Sequence, residues 1–222
     1  MGTQSLLDQL LKTGLAAVND ARGAVRGAAD SGDLGKYAQG AAAGGLLALL
    51  LGTRGGRRLG GSVLKVGSMA ALGVLAWKTY NDWQAQQAAG GPAPAAASPA
   101  ALPAPQAEAH GRVLLKAMIA AAKSDGHMDD RERELVEVEL RRAETDPGVR
   151  AWVESELRRP VEPADVAAGA TSPELAAELY LASLLVVDQS STMERAYLDA
   201  LARELRLDGG LKAQLEARAA AP

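Results

Sequence analysis

Residues 123–134 read KSDGHMDDRERE, which places Asp125, Asp129 and Glu132 around an Asp-Gly turn among further carboxylates and arginines. A second stretch, LASLLVVDQSSTMERAYLDAL (181–201), has the same order: an apolar helix, Asp188, a polar turn, and Glu194-Arg195 opening another helix. Asp125 precedes Glu132 by seven residues and Asp188 precedes Glu194 by six. That is the pattern of an internal duplication with one residue deleted. Two such turns brought together would gather Asp125, Asp129, Glu132, Asp188 and Glu194. An all-oxygen set of this kind selects Ca²⁺, Mg²⁺ or Mn²⁺ rather than zinc. It is not an EF-hand: with Asp125 as the first loop position, Asp130 stands where glycine is needed and Val136 where a bidentate glutamate is needed.

A purely structural account of the same residues competes with the metal one. Asp129 with Glu132, and Ser191 with Glu194, each have the three-residue spacing of a helix capping box. Gly126 suits the left-handed turn that ends a preceding helix.

Catalysis finds less support. Nucleophile–base chemistry wants Ser, Thr or Cys beside a base. The chain has no cysteine and only two histidines, His110 at the edge of a linker and His127 in a turn. No enzyme is expected.

The elements that must position these turns follow from composition and periodicity. Residues 1–87 carry nine Lys/Arg against five Asp/Glu, whereas 108–222 carry fifteen against twenty-two. This asymmetry marks two units in different surroundings. Without a basic stripe the acidic unit is not expected to bind nucleic acid. Phenylalanine is absent, so the core is Leu, Ala and Val, which favours helix and an all-α fold.

The first unit, 1–35, opens with Leu6, Leu7, Leu10, Leu11, Leu15 and Val18 at helical spacing. This is an amphipathic helix that packs on a partner or lies on a membrane surface. The second, 36–87, is Gly-rich and apolar. Its stretch 41–52 is too short to cross a bilayer alone, but 59–77 would reach roughly 28 Å as a helix, close to the hydrocarbon thickness. Lys65 could snorkel toward Arg54, Arg57 and Arg58, while Trp77, Tyr80 and Trp83 suit a membrane–water interface. Glycines spaced by four suit close helix–helix approach in lipid and self-association there. The segment is therefore expected to be membrane-associated, by spanning or by docking. A soluble Ala/Gly-rich hairpin is the alternative.

Residues 88–107 hold five of the ten prolines and form an extended Ala/Pro linker. From 108 to 222 the pattern is helical throughout. Apolar faces recur at 114–122, at 135–140 and at 149–157, and Ser172-Pro173-Glu174 starts a long helix through Val187. Further helices are expected over 192–206 and 209–219.

The stretch AMIAAAKSDGHMDDRERE is similar to the signature of tellurite-resistance TerB-like domains. LYLASLLVVDQSSTMERAYLDALARELRLDGGL, with LLLGTRGGRR and AALGVLAWKTYNDWQ, resembles more specifically the YebE-type inner membrane proteins, a bacterial family of unknown function. The likeness covers about 36–87 and 108–216. It implies a TerB-like α-helical bundle with pseudo-repeat symmetry at the bacterial inner membrane, an acidic surface and divalent-metal binding. The acids it carries over are Asp125, Asp129, Glu132, Asp188 and Glu194. The second turn, DQSSTMER, departs from the pattern in lacking the Asp-Gly and the middle acid.

The expected function is a membrane-tethered binding module whose acidic face takes a divalent ion or a protein partner. A membrane scaffold that oligomerises through its glycine-rich segments is the alternative.

Overall fold

The computed structural model describes residues 2–8, 69–87, 104–124, 126, 146–187 and 191–220. Among them the regular structure is entirely helical: a short segment 3–8, then α1 (Met69–Gln87), α2 (Ala104–Ala122), α3 (Pro147–Arg158), α4 (Pro163–Ala167), α5 (Pro173–Leu184), α6 (Thr192–Glu204) and α7 (Gly209–Ala220). The expected all-α class is what is found, and the boundaries follow local chemistry. Asp146 caps α3, its side chain accepting from the backbone N–H groups of Gly148 and Val149, with Pro147 next in line. Ser172 caps α5 in the same way, accepting from Leu175 ahead of Pro173. Ser191 caps α6, accepting from the Glu194 N–H at 3.4 Å.

The centre of the bundle is α5. Every residue from Ala176 to Leu184 is buried, so this helix is enclosed on all sides rather than amphipathic. It packs against α1, α2, α4, α6 and α7, while α7 also packs on α1 and α3 lies against α2. Polar atoms inside this helix need partners. The Ser183 hydroxyl donates to the Leu179 carbonyl one turn back, at 3.0 Å. Tyr180 donates to Glu216 of α7 at 2.7 Å. Lys212 then bridges Glu216 and Asp199, which ties α5, α7 and α6 together.

The expectations of a transmembrane helix and of an inner-membrane location are corrected here. Among the described residues no helix is long and apolar enough to cross a membrane. The second half of the 59–77 stretch lies in α1, and α1 is a member of the bundle. Its Leu72 and Ala76 are 1% exposed and belong to the same core as Leu179 and Leu181. Tyr80 is buried too, its ring centroid 5.8 Å from that of Trp83. Asp82 pairs with Arg218 of α7 at 2.9 Å, and Gln86 accepts from Gln214. The aromatic spacing that reads as an interfacial belt thus belongs to a helix packed on protein. The physical reason is that small residues permit close helix approach in water as they do in lipid. A carbon built on Gly73 would lie 3.2 Å from a carboxylate oxygen of Glu178 on α5.

The N-terminal segment is likewise packed on protein. Leu6 and Leu7 are 1% exposed within the common core. Residues 3–8 cross α2 at Gly111, where an added carbon would meet the Gln4 backbone nitrogen at 3.2 Å. Glu108 accepts from the N–H groups of Thr3 and Gln4, acting as a cap supplied by a different helix. The rest of that amphipathic stretch, the apolar stretch 41–52, the glycines from 40 to 67 and most of the 88–107 linker lie outside the described residues. The last four linker residues, 104–107, open α2.

Candidate functional site

Of the five acids singled out from sequence, Asp125, Asp129, Glu132 and Asp188 lie outside the described residues, as does His127. Glu194 is described and sits in the first turn of α6, 5% exposed. Among the described residues no three His, Cys, Asp or Glu side chains are grouped as metal donors.

Both flanks of the first acidic turn are defined. Helix α2 runs out through hydrogen bonds from Lys123 to Ile119 and from Ser124 to Ala121, and the Gly126 N–H donates to the Lys123 carbonyl. Gly126 has φ 74°, the left-handed value expected of a helix-ending glycine. The Lys123 ammonium reaches across to α3 and donates to the carbonyls of Glu156 and Arg159 at that helix's C-terminus. A cation there satisfies orphan carbonyls and complements the helix dipole. Lys116 donates to the Asp165 carbonyl, and Arg159 pairs with Asp165 at 3.1 Å. Between these groups runs a groove lined by Ile119, Pro160 and Val166. Its ammonium groups bind backbone carbonyls, so the groove fixes α2 to α3 and α4.

The most unusual chemistry in the interior involves residues that sequence reasoning passed over. Glu178 lies in the middle of α5, 6% exposed, where a lone carboxylate is costly without a partner. Its partner is His110 of α2, whose Nε2 stands 3.0 Å from Glu178 Oε2. The hydrogen bond to Glu178 and its negative charge raise the His110 pKa above the usual imidazole value, against the opposing effect of burial. The second oxygen, Oε1, is buried with no hydrogen-bond partner among the described residues and is covered by Gly73 of α1. Three helices therefore meet on one ion pair. A signal for it exists in the sequence: Glu178 is the one acid in AAELYLASLLVV, a run apolar enough to be buried on every side. His110 carries no such mark, because only packing brings it to α5.

The family described as "Protein of unknown function (DUF533)" matches residues 36–219 of this chain. A curated relative, the "Uncharacterized protein in ampR 5'region" of Yersinia enterocolitica, is 33% identical over 103 residues, 46% of this chain and 74% of the relative. No solved structure matches.

Proposed function

The chain belongs to the DUF533 family, whose function is unknown, and we propose that it is a non-catalytic helical binding module that recruits a basic protein partner through its acidic segment. The observation that supports this reading is where the charge excess lies. Residues 125–145 hold eight Asp/Glu against four arginines. The two ends of that segment are anchored on the bundle, by Lys123 on the end of α3 and by the Asp146 cap at the start of α3. A charged segment held at both ends on a rigid support suits electrostatic capture of a partner. A divalent-ion role for Asp125, Asp129, Glu132, Asp188 and Glu194 is the finer alternative.

Titrating the full chain with a fluorescent oligo-arginine peptide tests the proposal. Binding should weaken steeply with salt and be lost when Glu134, Glu137 and Glu139 are all changed to Gln. Salt-independent binding, or none, would rule the reading out. A parallel melting series in millimolar Ca²⁺, Mg²⁺ or Mn²⁺ decides the alternative. Stabilisation that disappears in the Asp125→Asn, Asp188→Asn double variant would establish the ion role.

A further inference from the structure

The junction of α1, α2 and α5 contains one ion pair, and its two sides differ. Glu178 Oε2 has the His110 ring at 3.0 Å, whereas Oε1 is enclosed with no donor among the described residues. Gly73 brings the α1 backbone onto that enclosed oxygen without offering it a polar group. The stability of a buried carboxylate in this setting rests on the charge of its one partner.

Most other charged groups on the surrounding elements have interactions of their own, Asp8 of the 3–8 segment and Glu194 of α6 among them. On α1, Asp82 pairs with Arg218 and Lys78 is exposed. On α2, Glu108 holds the start of the 3–8 segment and Arg112 lies over the Trp152 ring of α3. On α4, Asp165 pairs with Arg159. Glu194 is buried at the start of α6, and Asp199 joins Lys212 and Glu216 of α7. Glu174, one turn before Glu178 on α5, acts on Tyr80. The group whose charge acts on His110 is Glu178.

We propose that His110 and Glu178 form a proton-operated clamp that holds α1 and α2 on α5, closed while the imidazole carries its proton and loosened when the proton leaves. The neutral ring still donates a hydrogen bond but no longer balances the buried charge. Solvation of Glu178 Oε1 then favours lifting the α1 backbone at Gly73. Because folding raises the proton affinity of His110, its stabilising contribution is complete below the unfolded value of 6.5 and is lost as pH rises through the higher folded value. The clamp therefore opens as pH rises through that folded value.

Two measurements on the full chain test this. The chain has two histidines, so the His127→Gln variant identifies the His110 ring resonance in an NMR titration. His110 should titrate above 6.5. Amide exchange over 69–80, corrected for the intrinsic rate, should speed up several-fold between about pH 6 and about pH 8.5. That increase should vanish in Glu178→Gln and in His110→Gln. A His110 titration at or below 6.5, or an increase that persists in a folded variant, overturns the clamp. Should His110→Gln fail to fold, the wild-type titration and Glu178→Gln decide the matter.

Discussion

Glu108 Oε2 accepts a hydrogen bond from the backbone N–H of Thr3 at 2.7 Å, across 105 residues of chain. Through this contact α2 caps a helical segment that is far from it in the sequence. Charge-assisted bonds of this sort contribute about 1.5–3 kcal/mol. Glu108→Ala should release residues 3–8 to rapid amide exchange and early proteolysis while α5–α7 stay protected. Glu108→Gln, which keeps an acceptor, should retain most of the docking.

Gly73 brings α1 against the Glu178 side chain of α5. Gly73→Leu forces side-chain volume against Glu178 and should lower stability by about 1–3 kcal/mol in urea denaturation. Gly73→Ala should be far milder, because the atom it meets ends a flexible side chain and alanine favours helix by about 1 kcal/mol over glycine.

The Asp82–Arg218 pair joins α1 to α7, but both side chains are about two-fifths exposed. A double-mutant cycle with Asp82→Ala and Arg218→Ala should return a coupling of only about 0.2–1 kcal/mol, reduced further by salt. Leu72→Ala, which removes a side chain 1% exposed, should cost about 2–5 kcal/mol. The contrast would show that α1 is held by burial rather than by its charges.

Asp146 caps α3 with bonds of 2.8 Å to Gly148 and 3.2 Å to Val149. Asp146→Ala should cost about 0.5–2 kcal/mol in a chemical melt, and Asp146→Asn much less.

Local chemistry made much of the fold legible. The caps at Asp146, Ser172 and Ser191, the prolines that follow two of them, and the left-handed Gly126 depend on neighbours a few residues away. Residues 69–87 show where the same reasoning fails. A helix rich in Ala and Gly with aromatics three apart is compatible with lipid and with a protein groove alike. Periodicity reports which face is apolar and is silent about what covers it.

The candidate site divides along the same line. The sequence by itself determined the helical class and the acidic excess of the 108–222 unit, because each follows from residue type and local spacing. Only the tertiary structure decided that α1 and the 3–8 segment belong to the same core, that Glu194 is covered, and that His110 stands against Glu178 beneath Gly73. Those relationships join residues more than 100 positions apart. They exist because burying α5 on every side requires helices from the whole chain to close around it.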